Sequence, residues 1–477
     1  MSSWIVGLVL VGLSAIFAIM GVAYARRSVG SLEDYVTARR SVGALLAAVT
    51  LVASGMGGWI LFSPAEAATW GGLPTIVGYG LGAAAPIVAF IPLGLRLRQL
   101  IPEGHGLTEY VWHRYGRGMY VFTLLVMLFY MCIYLVAEIT GIALIGRLVA
   151  NLPLWLTAAV VLVATLAYTV YGGLQASIYT DGIQSILILP CLVALLVVGF
   201  YALGGTQPTI TGLTERAPYL LQWGHMAGIK GALTLIIAIL VANLFHQGYW
   251  QRVYAVRDAN VLRPAFLIAA VVSIPIVMVM GLFGLAAVGL GRAQTPSVAL
   301  FSVLLAAIPP WLTIVLVLLG LALVMSSADT LLNGIASIVA VDVHRAFPHM
   351  PTSRLLWISR ATTLGLAVPV WAIATQGLSV LYLFLIADLI CAAAAFPVFF
   401  GLYSTRYTGR LAVYSTLAGL VAGGLLFPDP SFSRGSLLAA FVIAAVVPMI
   451  VSFACLPRQR SFDFASLQQR VRLIPQR

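Results

Sequence analysis

One long apolar segment, residues 312–341, is polar at its centre. Its polar residues are Ser326, Ser327, Asp329, Thr330 and Asn333. Four of them follow the spacing i, i+3, i+4 and i+7, so a helix would place them along one face. A carboxylate inside a membrane span is costly and usually faces a cavity or an ion path, and hydroxyl oxygens beside it are ligands that hard cations prefer. The pattern therefore predicts a transport site rather than a plain membrane anchor.

The composition predicts an all-α membrane protein that crosses the bilayer many times. Of the 477 residues, 61% are hydrophobic and 8% are charged, whereas ordinary soluble domains carry about 25% charged residues. Apolar windows of about 20 residues recur along the whole chain, as transmembrane helices require. We predict about thirteen spans. They begin near Trp4, Gly43, Leu73, Met119, Leu154, Gly182, Gly228, Pro264, Leu312, Leu355, Leu378, Leu411 and Leu437.

Membrane topology explains the net charge of +12, and we predict no nucleic-acid partner. Of the 26 basic residues, 21 fall in alternate loops and the tail. The other five are Arg147, Arg216, Lys230, Arg292 and Arg434. Because positive residues mark the cytoplasmic side, an odd number of spans puts the N-terminus outside the plasma membrane and the C-terminus inside. The tail, residues 461–477, mixes aromatic residues with arginines, which fits either contact with membrane lipid or disorder.

Spans two and seven are predicted to be broken helices. Span two contains Gly55, Gly57 and Gly58, which lower helix propensity, and span seven ends in a polar patch, residues 243–248. Interrupted helices at matching places in two halves indicate a transporter's central site. The two spans lie five apart, which fits two inverted five-helix repeats over spans two to eleven. Close helix packing is the alternative explanation for the glycines.

Motifs along the chain resemble those of the sodium:solute symporter family. They are Ser31 to Tyr35 with Ala38 to Arg40, Leu107 to Tyr110 with Arg114 to Gly116, Gly172-Gly173 with Thr180 to Gln184, Gln251-Arg252, Ser326-Ser327 with Asn333 and Asp342, and Pro397 with Gly401. The resemblance implies a protein with a leucine-transporter-type fold that co-transports sodium with an organic solute. It implies one membrane domain in three parts: an extra N-terminal helix and loop (1–41), an inverted-repeat core (42–405), and two peripheral helices with a cytoplasmic tail (406–477).

Residues 53–59 are most similar to the sodium/proline symporters but differ from them at two positions. Those proteins carry an aspartate where this chain has Gly55 and a serine where it has Gly57. The difference puts proline specificity, and the usual sodium energetics, in doubt.

By resemblance, the sodium site would use three backbone carbonyls and two hydroxyls. The carbonyls are those of Ala53, Met56 and Leu323, and the hydroxyls are those of Ser326 and Ser327. Sodium is a hard cation that takes about five or six oxygen ligands, and an unwound helix supplies free carbonyls. For the two serines, hydrogen bonding between helices is the alternative.

A second cation or proton site is predicted at Asp181, Asp329 and Thr330. We predict that Asp181 opens span six on the cytoplasmic side, and the resemblance implies that it lies near the sodium exit path. Two nearby carboxylates raise one another's proton affinity. Asp329 would therefore bind a cation with Asp181, share a proton with it, or replace the charge missing at Gly55. The alternative is a helix-terminal salt bridge to a cytoplasmic arginine such as Arg345 or Arg252.

The solute is predicted to bind between the two breaks. Gly58 and Trp59 would form one wall and Tyr134 would donate a hydroxyl. His246 falls where the family's sugar transporters place a substrate-binding asparagine, with Gln247 beside it. A histidine there can donate, accept or titrate, or it can simply pack.

Three more acids lie in or near the outer halves of the spans. They are Glu66, Glu138 and Asp388. A vestibule rich in carboxylates favours a cationic or zwitterionic solute, although each acid could be paired or buried in neutral form.

We predict a sodium-coupled secondary active symporter that imports a small organic solute, such as an amino acid, by alternating access. The sequence shows no nucleophile–base pair, phosphate loop or metal-ligand cluster, so we expect no enzymatic activity. We expect no cofactor other than the transported sodium, and a monomer. A proton-coupled or uncoupled transporter of the same fold, or a transporter-like sensor, are the alternatives.

Overall fold

The computed structural model describes residues 2–28, 32–429, 435–459 and 461–471. Ser31 of the first motif, Arg434 and the last six residues of the tail therefore lie outside the described residues. Helices dominate the described chain, and its only β-type pairing is an isolated bridge between Val42 and Val256. Ten helices in this part are long and apolar enough to cross a membrane. The all-α prediction is confirmed.

Thirteen spans result when the broken and bent helices are assigned in chain order. Span one is Ser3–Ser28, span two is Ala44–Gly55 with the first part of Ser63–Leu100, and span three is the rest of that helix. Span four is Arg117–Ala150, spans five and six share Leu154–Ala202, and span seven is Met226–Asn243 with Gln247–Ala255. The remaining spans, eight to thirteen, are Ala259–Gly289, Pro310–Ala346, Thr352–Ala374, Val380–Phe400, Gly409–Gly424 and Leu437–Ala454. The shorter helices are Leu32–Val36, Leu107–Tyr115, Gln207–Arg216, Ala299–Leu304 and Ala465–Arg470, with 3₁₀ turns at Gly58–Leu61, Pro218–Leu221 and Pro296–Val298.

Two glycines kink long helices, and no loop separates the two parts of either helix. Gly72 separates spans two and three at φ 64°, and Gly173 separates spans five and six at φ 55°. A side chain at either position would be strained in this left-handed conformation. It would also meet the backbone of Leu220 or of Tyr35, respectively.

Spans two and seven are both interrupted, as the inverted repeat predicts. In span two, Met56 and Gly57 leave the helical conformation before the 3₁₀ turn Gly58–Leu61. In span seven, residues 244–246 separate the two helices, and the Nδ1 of His246 accepts a hydrogen bond from the Gly248 N–H at 3.0 Å. This bond caps the second helix of span seven.

Span nine lies at the centre of the bundle. Every residue from Leu319 to Ile338 is buried, and spans two, four, six and ten pack around it. The polar stripe that runs through these residues is therefore enclosed by other helices. Its groups must find partners inside the protein, because a buried polar group without one is costly.

The arginine-rich end is the end of the bundle that carries Arg39, Arg98 and Arg114. Here the described part of the tail folds back onto the bundle. The guanidinium of Arg114 lies 4.2 Å from the ring centre of Phe462 and 5.8 Å from that of Phe464, a cation–π arrangement.

A buried histidine ties three segments together at the arginine-rich end. The Nε2 of His105 lies 2.8 Å from Glu33 and its Nδ1 lies 3.1 Å from Glu109, while Arg39 donates to Glu33 at 2.7 Å. Burial alone would lower the pKa of His105, but the carboxylates of Glu109 and Glu33 raise it to about 9. Burial likewise raises the pKa of Glu33, but His105 and Arg39 outweigh it and bring the pKa to about 2.

Stability should therefore depend on pH through this cluster. The pKa of His105 is raised in the folded protein. Its contribution to the free energy of unfolding is therefore complete below its unfolded pKa of about 6.5 and is lost as the pH rises through about 9. The pKa of Glu33 is lowered in the folded protein. Its contribution to the free energy of unfolding is therefore complete above pH 4.5, its unfolded pKa, and is lost as the pH falls through about 2.

The His105→Gln variant tests this linkage. We expect the thermal midpoint of the detergent-solubilised variant to lie furthest below the parent's near pH 6, by the equivalent of about 3 kcal/mol, and the difference to shrink by pH 9.5. His349→Gln, in an exposed turn, is the control and should match the parent throughout. A difference between parent and His105→Gln that does not change with pH would contradict the account.

Candidate functional site

The break in span two leaves backbone carbonyls without partners. The carbonyl of Gly55 accepts from the Trp59 indole N–H at 3.1 Å and from the Tyr134 hydroxyl at 3.4 Å. In contrast, no described turn, loop or side-chain donor reaches the carbonyls of Ala53 and Met56. Free carbonyls at a helix C-terminus carry partial negative charge, which suits a cation.

The two hydroxyls of span nine that the resemblance assigns to the same ion donate hydrogen bonds to other groups of the protein. Ser327 donates to the carbonyls of Leu323 and Val324 at 3.1 and 3.2 Å. Ser326 donates to the Asp181 carboxylate at 2.5 Å. Because each hydroxyl oxygen has two lone pairs, both remain able to coordinate a cation while they donate these bonds.

Asp181 forms a buried ion pair with Arg252. The guanidinium of Arg252 donates to Asp181 at 2.8 Å, to the Thr330 hydroxyl at 3.1 Å and to the Gly248 carbonyl at 3.1 Å. The expectation that Asp181 opens span six is wrong, because the helix already restarts after Gly173 and Asp181 lies about two turns further on. The pair joins spans six, seven and nine.

Asp329 is held mainly by hydroxyl groups. It accepts hydrogen bonds from Tyr168 at 2.8 Å, from Ser177 at 2.8 Å and from Thr180 at 3.1 Å, all from spans five and six. Thr330 adds a bond at 3.3 Å and also accepts from Arg252, so it links Asp329 to the Asp181 network. The structure thus brings the three residues of the predicted second site together.

A cavity with aromatic walls lies between the two breaks. Its volume is about 550 Å³, counting the space open to solvent. The aromatic residues that line it are Trp59, Tyr79, Tyr130, Tyr134, Tyr249 and Phe384. Trp59 stacks on Tyr79 with ring centres 5.7 Å apart, and Tyr134 meets Phe384 edge-on at 4.8 Å. Gly55 and Met56 lie in the same wall, so the cavity reaches the break in span two.

One carboxylate, Asp388 of span eleven, lines this cavity. It is 4% exposed, and no described residue forms a hydrogen bond or an ion pair with it. Asn243, at the end of the first helix of span seven, is the other strongly polar lining residue, and its amide donates to the Ile239 carbonyl. Aromatic faces and one unpaired carboxylate form a site that suits a positive charge.

Of the five predicted solute contacts, Trp59 and Tyr134 line the cavity and three residues lie outside its lining. Gly58 packs against Val324 of span nine. The His246 ring lies against Tyr130, Tyr134 and Tyr249. The Gln247 amide points away, to the His105 carbonyl at 3.0 Å.

Sequence reasoning did not single out Tyr79, Tyr130 and Tyr249 as site residues. Tyr79 and Tyr130 lie in apolar stretches, where an aromatic residue predicts only packing, and Tyr249 follows the polar patch 243–248. Their common location depends on how spans three, four and seven approach one another, and spacing within one helix carries no such signal. For Asp388 the sequence gives one signal, a carboxylate within a span. It does not indicate that aromatic residues surround this carboxylate.

Comparison with known proteins supports a transport site. The family model "Sodium:solute symporter family" matches residues 35–419. A spermidine transporter of Candida albicans is 27% identical over 420 residues, covering 87% of this chain and 76% of its own length. An osmoregulated proline transporter of Bacillus subtilis is 26% identical over 464 residues, covering 90% and 91%. A sodium/proline symporter of Escherichia coli is 25% identical, covering 84% and 82%.

Solved structures show the same fold. A Na⁺-coupled sialic acid symporter in a substrate-bound outward-open state superposes with a TM-score of 0.76 at 18% identity, covering 96% of this chain and 98% of its own. A nucleobase-cation-symport transporter in a closed conformation gives 0.57 at 16% identity, covering 91% and 98%. The predicted leucine-transporter-type fold is confirmed. With its family motifs, its two broken spans and this architecture, the chain belongs to the sodium:solute symporter family.

Proposed function

We propose that this protein is a sodium-coupled symporter for a small organic solute that carries a positively charged nitrogen, such as an amine or a zwitterionic amino acid. The observation that carries the proposal is the unpaired Asp388 carboxylate in the aromatic cavity. A buried charge without a partner is costly, and a cationic solute would supply one. The rings of Trp59 and Phe384 would hold the same charge by cation–π attraction.

The relatives are consistent with this solute class. Spermidine and proline, the solutes named for two of them, both carry charged nitrogen at neutral pH. The cavity is also mostly apolar, as small-molecule sites usually are, so the body of the solute would contact rings while its nitrogen meets Asp388.

Sodium would bind where the resemblance assigns it, at the carbonyls of Ala53, Met56 and Leu323 and the hydroxyls of Ser326 and Ser327. The two free carbonyls at the break in span two support this assignment. Movement of the two broken spans about their breaks would open the cavity to either side in turn. On the arginine-rich side, the ion pair between Asp181 and Arg252 joins three spans, so we infer that inward opening must separate or shift it.

The orientation follows from the charges. We propose that the arginine-rich end faces the cytoplasm, because positive residues mark that side. The N-terminus would then be outside and the C-terminus inside the plasma membrane.

Uptake into proteoliposomes tests the function directly. With potassium inside, we expect radiolabelled spermidine or proline to accumulate when sodium is outside and not when external potassium replaces it. Potassium is the better replacement because an organic cation such as choline could compete for the cavity. Uptake that is equal in both salts would overturn sodium coupling.

Asp388→Asn tests the solute charge. The amide keeps the size of the side chain but removes the charge, so we expect binding of a cationic solute to weaken at least tenfold, or by about 1.4 kcal/mol or more, while sodium binding is retained. Glu66→Gln is a matched control, since both of its carboxylate oxygens accept from Ser379 at 2.9 Å and it lies outside the cavity lining. Unchanged affinity in Asp388→Asn would contradict the proposed solute class.

Asp329→Ser separates an ion or proton role from a structural one. If Asp329 takes part in coupling, the variant should change the sodium or pH dependence of uptake, by about tenfold in the half-saturating sodium concentration or by displacing the pH profile. Transport assays over a sodium series at several pH values would measure this. A variant that folds and shows both dependences unaltered would make Asp329 a purely structural anchor for Tyr168, Ser177 and Thr180.

A further inference from the structure

Glu138 of span four caps the break in span two. Its side chain is fully buried, and its Oε2 accepts the Gly58 N–H at 2.7 Å. Gly58 is the first residue of the 3₁₀ turn that restarts span two. A carboxylate on the unpaired N–H groups of a helix start is favourable, so this contact fixes where the second half of span two begins.

The other oxygen of Glu138 has no partner. Oε1 accepts no hydrogen bond within the described part of the chain, and none of the ion pairs found there includes Glu138. Ser327 of span nine neighbours the same carboxylate, but its hydroxyl donates to the Leu323 and Val324 carbonyls. A fully buried carboxylate with one free oxygen and no described basic side chain beside it is costly, so a bound cation would stabilise it.

Gly57 provides the space for this carboxylate. A Cβ atom on Gly57 would collide with the Oε1, Oε2 and Cδ atoms of Glu138. The backbone of Gly57, at φ −80° and ψ −174°, is one that any residue adopts, so conformational freedom does not explain the glycine. The absence of a side chain at position 57 is what allows the carboxylate of Glu138 to reach the break.

The free oxygen of Glu138 therefore lies beside groups that could complete a cation site. Ser327, one of the predicted sodium ligands, neighbours the Glu138 carboxylate, and the carbonyls of Ala53 and Met56 at the same break have no described hydrogen-bond partner. Those ligands are all neutral. Gly55 offers no charge, and a Cβ there would meet the Tyr249 hydroxyl.

We propose that Glu138 is the anionic ligand of the transported sodium ion, which its Oε1 binds together with the Ser327 hydroxyl and the free carbonyls at the break in span two. This inference rests on the proposed sodium coupling and adds the residue that balances the ion's charge. It also supplies a route for coupling. The carboxylate that binds the ion holds the N–H of Gly58, and the next residue, Trp59, lines the solute cavity.

Equilibrium binding of ²²Na⁺ to the purified protein without solute tests the inference. In Glu138→Gln the amide oxygen can still accept from Gly58, so the fold is retained while the charge is lost. We expect the sodium dissociation constant to rise at least tenfold, with Glu66→Gln equal to the parent. Parental sodium affinity in Glu138→Gln would overturn the role of Glu138. If the parent itself binds no sodium, the proposed sodium coupling fails instead.

The steric relation between Gly57 and Glu138 gives an independent readout. We expect Gly57→Ala to weaken sodium binding at least tenfold, because the methyl group displaces the carboxylate. In a Glu138→Ala background, the same Gly57→Ala change should cause less than a twofold further loss. Equal losses in both backgrounds, or a Gly57→Ala variant with parental affinity, would contradict the proposed geometry. Thermal unfolding of each variant identifies any that fails to fold, and if Gly57→Ala is one of them, the sodium affinity of Glu138→Gln decides the proposal.

Discussion

Charge balance in an apolar bundle is the constraint on which this structure depends. Four carboxylates, those of Glu138, Asp181, Asp329 and Asp388, are buried in its centre, and each must be compensated or remain costly. Two are compensated within the protein. Asp181 pairs with Arg252, and Asp329 accepts hydrogen bonds from the hydroxyls around it. Asp388 and the Oε1 of Glu138 have no described partner, and these are the two positions that we assign to transported positive charge.

Two consecutive residues of span two, Gly58 and Trp59, connect the two uncompensated groups. Glu138 holds the N–H of Gly58, while Trp59 faces the cavity that contains Asp388. The Trp59 indole also bonds to the Gly55 carbonyl across the break. An ion bound at Glu138 would therefore rigidify the wall against which the solute binds. A first ligand that orders part of the second ligand's site increases the affinity for the second ligand. In a symporter, this increase couples the binding of the ion to the binding of the solute.

The features that sequence predicted best are those encoded locally. The apolar runs gave the spans, and Gly57, Gly58 and the patch around His246 indicated the two breaks, because loss of helix propensity acts within a few residues. The partnership of Glu138 with Gly57 was not predictable in this way. The two residues are 81 positions apart and meet only when span four packs on span two. The glycine at position 57 read as a departure from the proline symporters, whereas the structure gives it a steric reason. The direction of the Gln247 side chain also depends on long-range packing: His246 lies in the break of span seven, but the Gln247 amide donates to the His105 carbonyl at the arginine-rich end.

A structure determined in sodium with a bound cationic solute would show the positions of both ligands. We expect a sodium ion about 2.4 Å from the Oε1 of Glu138, within reach of Ser327, and the solute nitrogen beside Asp388 among the aromatic rings. Sodium coordinated without Glu138, or a solute bound with its nitrogen away from Asp388, would contradict this expectation.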